Sequence, residues 1–309
     1  MILQPDEGSG SLKRAILLAV AYSDVFDYPL TASEIHRYCA AKASVVEVYA
    51  EIQGFRFLAR RGDFYTLPGR EALADIRTRR AGISRRLWPH AVRYGRIISG
   101  LPFVRMVAVT GSLAVNNVED RADIDYFIVT EPGHLWTSRA LVLALGRLAA
   151  RRGISLCPNY LVTTRALEFP DHSLYTAREL AQMVPLSGPE LYAEIRRRNA
   201  WVSDFLPNAD GAPPAPAPVD STGFSSRLRP VIEAGMRTRA GAWFERREMD
   251  RKLRRLSREQ AHSGESVFSA EVCKGHDRGH QSRTQTLLES KVSRLLTVQN
   301  QALPESKVS

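Results

Sequence analysis

The chain has 309 residues, 44% of them apolar, and a formal charge of +10 from 43 basic and 33 acidic side chains. That is enough apolar material for two or three packed domains and excludes a disordered chain. The longest apolar run in a predicted helix, Ala140 to Ala150, is broken by Arg147 and is too short to span a bilayer, so no membrane partner is expected.

Three cysteines, Cys39, Cys157 and Cys273, are odd in number and far apart, which fits a reducing cytoplasm better than a disulfide framework. The N-terminus has no basic region followed by an apolar run, so an export signal is not expected. The net charge is about +5 in residues 1–100, +1 in 101–200 and +4 beyond, so the excess flanks the middle of the chain. A nucleotide or nucleic-acid partner accounts for this, and so does an arginine-rich composition.

In chain order, residues 1–10 read as a disordered start and 11–22 as an amphipathic helix capped by Ser11. Asp24 to Leu30 reads as a loop. Two capping boxes, Thr31 with Glu34 and Ser44 with Glu47, predict helices over 31–40 and 44–54. Residues 57–67 form two strand-like pieces around Arg61-Gly62-Asp63, a hairpin pattern. Helices followed by a hairpin over 11–68 resemble a winged helix-turn-helix domain.

Spacing gives the second capped helix an apolar face of Val45, Val48, Tyr49 and Ile52, leaving Glu47, Ala50 and Glu51 outward. Acidic side chains repel phosphate, which favours a packing or protein-contact role over base reading. Arg56, Arg60 and Arg61 beside the hairpin keep a backbone contact open. Residues 69–100 are helical and basic and read as a connector, with Arg70, Arg77, Arg79, Arg80, Arg85, Arg86, Arg93 and Arg96 on a solvated face around Trp88-Pro89.

Residues 103–130 carry the chemistry. Val104 to Val109 is an apolar strand ending in Thr110-Gly111-Ser112, where glycine permits a tight turn. Ile124 to Val129 is a second strand opened by Asp123 and Asp125. Alternate strand residues share a face, so the two carboxylates stand about 6.6 Å apart at Cα. Like charges that close call for a cation between them, and an all-oxygen set suits Mg²⁺.

Gly111-Ser112, ten residues, and Asp123-Ile124-Asp125-Tyr126 resemble the signature of the DNA polymerase β-like nucleotidyltransferase superfamily. The resemblance implies a small mixed-sheet α/β (α+β) domain over 101–206. It also implies a nucleoside triphosphate held by Gly111 and Ser112, with Mg²⁺ held by Asp123 and Asp125, which are then the catalytic pair. Transfer of a nucleoside monophosphate to an acceptor hydroxyl follows, with nucleic acid open as the acceptor. Such transfer needs positioning and charge neutralisation more than covalent help.

The family's third carboxylate lies on a later strand. Here the matching strand, 154–163, has Asn159 at that position, an amide that can ligate a metal but is a poor base. Glu168 and Asp171 lie just beyond and are alternatives.

Gly133 to Arg152 predicts a long helix against the sheet, with Arg139 in its first turns as a candidate triphosphate contact. Pro158 predicts an edge or bulged strand. Thr176 with Glu179 and Ser187 with Glu190 predict two more capped helices. Residues 207–223 read as a Pro/Ala-rich linker, 224–296 as a helical region and 297–309 as a disordered tail. Cys273, His276 and His280, with His262 upstream, have donor types for a transition metal, but two glycines and a missing fourth ligand favour a plain loop.

Overall fold

A computed structural model describes residues 9–120, 122–213, 225–259, 267–274 and 280–301. The core of the expected linker, the end of the expected tail, His262 and His276 lie outside these residues. The chain is mixed α/β and divides into two compact units. Of the described residues, the first unit takes those up to Thr78, Ser203–Asp210 and those from His280 on; the second takes the rest.

In the first unit, α1 (Ser9–Asp24), α2 (Ala32–Tyr38) and α3 (Val45–Ile52) precede a hairpin of β1 (Ala59–Arg61) and β2 (Phe64–Thr66). Both capping boxes form: the Thr31 and Ser44 hydroxyls accept from the Glu34 and Glu47 amides, and each glutamate accepts from its cap's backbone. The predicted face of α3 needs correction. Val48 and Ile52 are buried, but Val45 and Tyr49 are 51% and 50% exposed beside Val46 at 74%. A two-turn helix buries only one i, i+4 stripe, so an apolar patch faces out.

The start of the predicted linker is also anchored. The Asn208 amide accepts from Ala43 N (3.1 Å) and donates to the carbonyls of His36 (3.1 Å) and Ala41 (2.8 Å), satisfying the α2–α3 turn. The last helix, α12, runs His280–Gln301, past the boundary at 296.

α4 (Leu73–Ser99) carries the chain from one unit to the other, with Pro89 on its exposed side, where the carbonyl it leaves unbonded can face water. Two of its arginines are not solvated. Arg77 is buried over the Tyr28 ring (3.7 Å) and pairs with Glu34 (2.7 Å), while Arg80 is buried against Asn117 and Glu119.

The second unit is built on a six-stranded mixed sheet in the order β6-β3-β4-β5-β8-β7. β3 (Val104–Val109) and β4 (Ile124–Thr130) pair antiparallel. β4 returns through α6 (Leu135–Ala150) to the parallel β5 (Leu156–Thr163). β6 (Val184–Ser187) lines the free edge of β3. β7 (Val267–Phe268) and β8 (Val272–Lys274) come from beyond the linker, so the C-terminal region is not purely helical: β8 completes the sheet against β5.

Burial on both faces explains the unbroken apolar strands. Ile124, Tyr126 and Ile128 face α4 and α6, with Tyr126 Oη donating to Ala91 O (2.8 Å). Phe127 faces the other way and meets Tyr160 and Phe169 edge-on or tilted. Pro158 sits in a bulge of β5, between Cys157 and Tyr160, on an interior strand.

Two predicted caps are replaced. α7 (Leu174–Gln182) is capped by Ser173, whose Oγ accepts from Thr176 N. α8 (Pro189–Arg198) follows Gly188, because Ser187 lies in β6 and its Oγ accepts from Val107 N. α10 (Ser225–Met236) and α11 (Arg239–Glu259) complete the unit, with the short α5 (Gly111–Ala114) in a loop; the short α9 (Val202–Phe205) falls almost wholly in the first unit. Among the described residues no helix is long and apolar enough to cross a membrane, and the three cysteines are buried and unbridged.

Candidate active site

The candidate site lies where β3 ends and β4 begins. Thr110 N donates to Asp125 O (3.0 Å), which places Thr110 directly across from Asp125. On the other side Asp125 pairs in register with Cys157. Thr110, Asp125 and Cys157 therefore form one row across three strands, on a single face of the sheet. Gly111 follows Thr110 with φ +66°, and a Cβ there would stand 2.5 Å from Asp125 Oδ2. The glycine is required twice, for the left-handed turn and for the approach of the carboxylate.

Asp123 is exposed just before β4, and Ser112 is half-buried in α5. The loop between them is pinned. Ser112 O accepts from Asn117 N (2.8 Å), Trp88 Nε1 donates to Asn116 Oδ1 (2.7 Å), and Val118 N donates to Ser84 Oγ (3.4 Å).

Burial raises the Asp125 carboxyl to about 6; the Cys157 thiol donates to it and pulls the value back, and the charge of Asp123 pushes it further up. Burial and the neighbouring carboxylate push the Cys157 thiol upward in turn, so it stays protonated. Thr110 Oγ1 is buried with no hydrogen-bond partner among the described residues. A half-buried carboxylate beside a like charge, with an unused hydroxyl in the same row, marks this as a candidate functional site.

The other expected residues fall elsewhere. Asn159 lies in the β5 bulge and makes no hydrogen bond to either aspartate; Cys157, ahead of the bulge, stands opposite Asp125, and the extra residue sets Tyr160 opposite Phe127. Asp171 accepts from Ser173 and Thr176 at the start of α7, and Glu168 is exposed. Neither supplies a third acid to the row.

Arg139 lies over the Trp136 ring and hydrogen-bonds to Cys273 of β8. Cys273 shares a sheet face with Leu161 and Ile128, opposite to that of Asp125. A groove of about 380 Å³ lined by Arg147, Arg247 and Arg251 also lies on the α6 side.

Thr110 and Cys157 are the site residues that sequence reading passed over. Thr110 was findable by parity, as the strand residue just before the glycine; Cys157 brings no oxygen donor and so gave no such signal. Among the described residues, no three His, Cys, Asp or Glu side chains gather as a metal site. The oxygen donors of Asp123 and Asp125 suit a hard cation, whereas the protonated Cys157 does not. No family model, no curated protein and no solved structure matches the chain.

Proposed function

We propose that the second unit is a nucleotidyltransferase domain that binds a nucleoside triphosphate with Mg²⁺ and transfers a nucleoside monophosphate to an acceptor hydroxyl. The observation that carries this reading is the contact of the Gly111 turn with the half-buried Asp125 carboxylate at the mouth of an antiparallel strand pair. In this reading Asp123 and Asp125 hold the cation, while Gly111 and Ser112 offer backbone amides and a hydroxyl to phosphate oxygens. Thr110 Oγ1 donates to the same assembly. When bound, the cation neutralises the phosphate charge. Cys157 keeps Asp125 oriented through its thiol. Two carboxylates make cation binding weak until the nucleotide's own phosphates add their charge.

The absence of a third acid from the row favours a second reading, a nucleotide-binding module with slow or no transfer. In the first unit, the outward Val45, Val46 and Tyr49 suit a protein contact better than base reading, and a winged-helix role there remains a proposal of the same rank.

Calorimetry with ATP, CTP, GTP and UTP, with and without Mg²⁺, tests both. Mg²⁺-dependent binding of at least one nucleotide is expected, abolished by Asp123→Ala with Asp125→Ala. Failure of all four to bind, or unaltered binding by the double variant, sinks the assignment. Release of pyrophosphate in the presence of acceptors separates the enzyme from the module.

A further inference from the structure

We propose that the outward face of α4 is a docking surface for the phosphate backbone of a nucleic acid. Between Ile76 and Val118 the chain carries eight arginines and no acidic residue. Three of the eight are engaged internally: Arg77 with Glu34, Arg80 with Glu119, and Arg105 with Glu131 and Glu233. The other five, Arg79, Arg85, Arg86, Arg93 and Arg96, are exposed and have no ion pair or hydrogen bond to a described side chain. At 3.6 residues per turn they occupy an arc of about 120° along about 25 Å of helix. Arg79, Arg86 and Arg93 form one line at intervals of about 10 Å.

An arginine-rich composition does not explain this face. Elsewhere several exposed helical arginines are matched by acids, Arg197 and Arg198 with Glu194, Arg237 with Glu131 and Glu233, and Arg251 with Glu248, while others such as Arg147 and Arg246 have no ion pair among the described residues. On α4 the one acid, Asp75, pairs with Arg61, and the five like charges beyond it stand together without an acidic partner, an arrangement whose self-repulsion is costly unless a polyanion neutralises it.

The face is also rigidly mounted. Tyr126 Oη holds the Ala91 carbonyl, and Trp88 and Ser84 grip the loop that leads from the Gly111 turn to Asp123. A membrane surface fits less well, because the apolar side of α4, with Ala91, Tyr94 and Ile98, is buried and Ile97, at 40% exposure, is the large apolar side chain it leaves exposed. The inference stands without the transferase reading; where both hold, α4 is the place for an acceptor strand.

The test is fluorescence anisotropy with labelled 20-residue single-stranded and duplex DNA and RNA, on the full chain, between 50 and 200 mM salt. Five contacts to a single strand predict a log–log salt slope of about −3.5. Arg79→Gln with Arg86→Gln and Arg93→Gln should weaken binding by about tenfold or more at 50 mM and flatten the slope by about 2. Glutamine keeps the helix propensity, and intact Mg²⁺–nucleotide binding or an unchanged urea midpoint establishes that the variant is folded.

Arg197→Gln with Arg198→Gln should leave affinity within about twofold, their charges being matched by Glu194. The double aspartate variant should still bind the oligonucleotide, which separates this surface from the nucleotide site. No binding by the wild type at 50 mM salt, or a triple variant with wild-type affinity and slope, overturns the proposal. So does displacement of the oligonucleotide by polyglutamate, or by anionic phosphatidylserine vesicles, at equal charge concentration; those outcomes assign the face to an acidic protein or to a membrane.

Discussion

At one end of the β3–β4 hairpin, Glu233 accepts from Phe103 N (2.7 Å), Arg105 Nη1 (3.0 Å) and Arg229 Nε (2.9 Å). Beside it Glu245 of α11 caps α6 through Trp136 N, Thr137 N and Thr137 Oγ1, at 2.7 to 2.8 Å. At the other end, Asp125 has one thiol donor, a like-charged neighbour and a buried hydroxyl that bonds to nothing described. Burial pushes Glu233 up, but hydrogen bonds from Arg105, Phe103 and Arg229 outweigh it and hold the carboxyl at about 2, while Asp125 rises to about 6. One end of the hairpin thus meets carboxylates of α10 and α11 that are saturated with donors, while the other end carries a carboxylate that is not. The difference marks one end of the hairpin as scaffold and the other as the candidate site.

Removing the saturated acid should have the largest effect. Glu233→Ala leaves Arg105, Arg229 and Phe103 N without their acceptor and should lower stability by about 3 kcal/mol in urea unfolding. A loss below about 1 kcal/mol would break the contrast. Its pH signature follows from a folded value of about 2 beneath the ordinary 4.5: the stabilisation is full above pH 4.5 and is lost as pH falls through that window toward 2.

Gly111→Ala comes next, at about 2 to 3 kcal/mol, from a positive φ and a Cβ thrust at Asp125 Oδ2. In an Asp125→Ala background the clash disappears and about 1 kcal/mol of strain should remain, which a double-mutant cycle reads directly.

Asp125→Asn should act in the opposite direction. The folded carboxyl lies at about 6, above the ordinary 3.8, so its ionisation weakens the fold as pH rises through 6. The amide removes that charge and should raise stability at pH 7 by about 1 to 2 kcal/mol while abolishing Mg²⁺-dependent nucleotide binding. A destabilised Asp125→Asn protein would show that Asp125 belongs with Glu233, as part of the scaffold.

Local rules made much of this legible. The two capping boxes, the hairpin at Gly62 and the pairing of Val104–Val109 with the strand after Asp123 follow from side chains within a few residues of each other. What escaped was set by distant partners. Glu245 caps α6 from more than a hundred residues away, β8 joins β5 from beyond the linker, and Arg77 and Arg80 lose their solvation to Glu34 and Glu119. At the site itself, Gly111 and Asp125 were found by motif spacing. Asn159 is an oxygen donor of that strand, but Cys157 stands opposite Asp125, and the bulge at Pro158 takes Asn159 out of register and sets Tyr160 opposite Phe127.

The smallest expected effect discriminates best. Thr110 has an extended backbone, φ −128° and ψ −172°, which valine adopts readily, so Thr110→Val changes little but the hydroxyl. With that hydroxyl buried and unpartnered, its loss should stabilise the ligand-free protein by up to about 1 kcal/mol. If the hydroxyl serves a bound nucleotide, the same substitution should weaken Mg²⁺–nucleotide binding by about tenfold, the worth of one hydrogen bond to a charged group. Thr66 supplies the control, because its hydroxyl is also buried without a described partner, on β2 of the first unit. Thr66→Val should bring a similar gain in stability with no change in nucleotide affinity. Equal behaviour of the two variants toward nucleotide would remove Thr110 from the site, and with it the distinction between the two ends of the hairpin would rest on Asp125 alone.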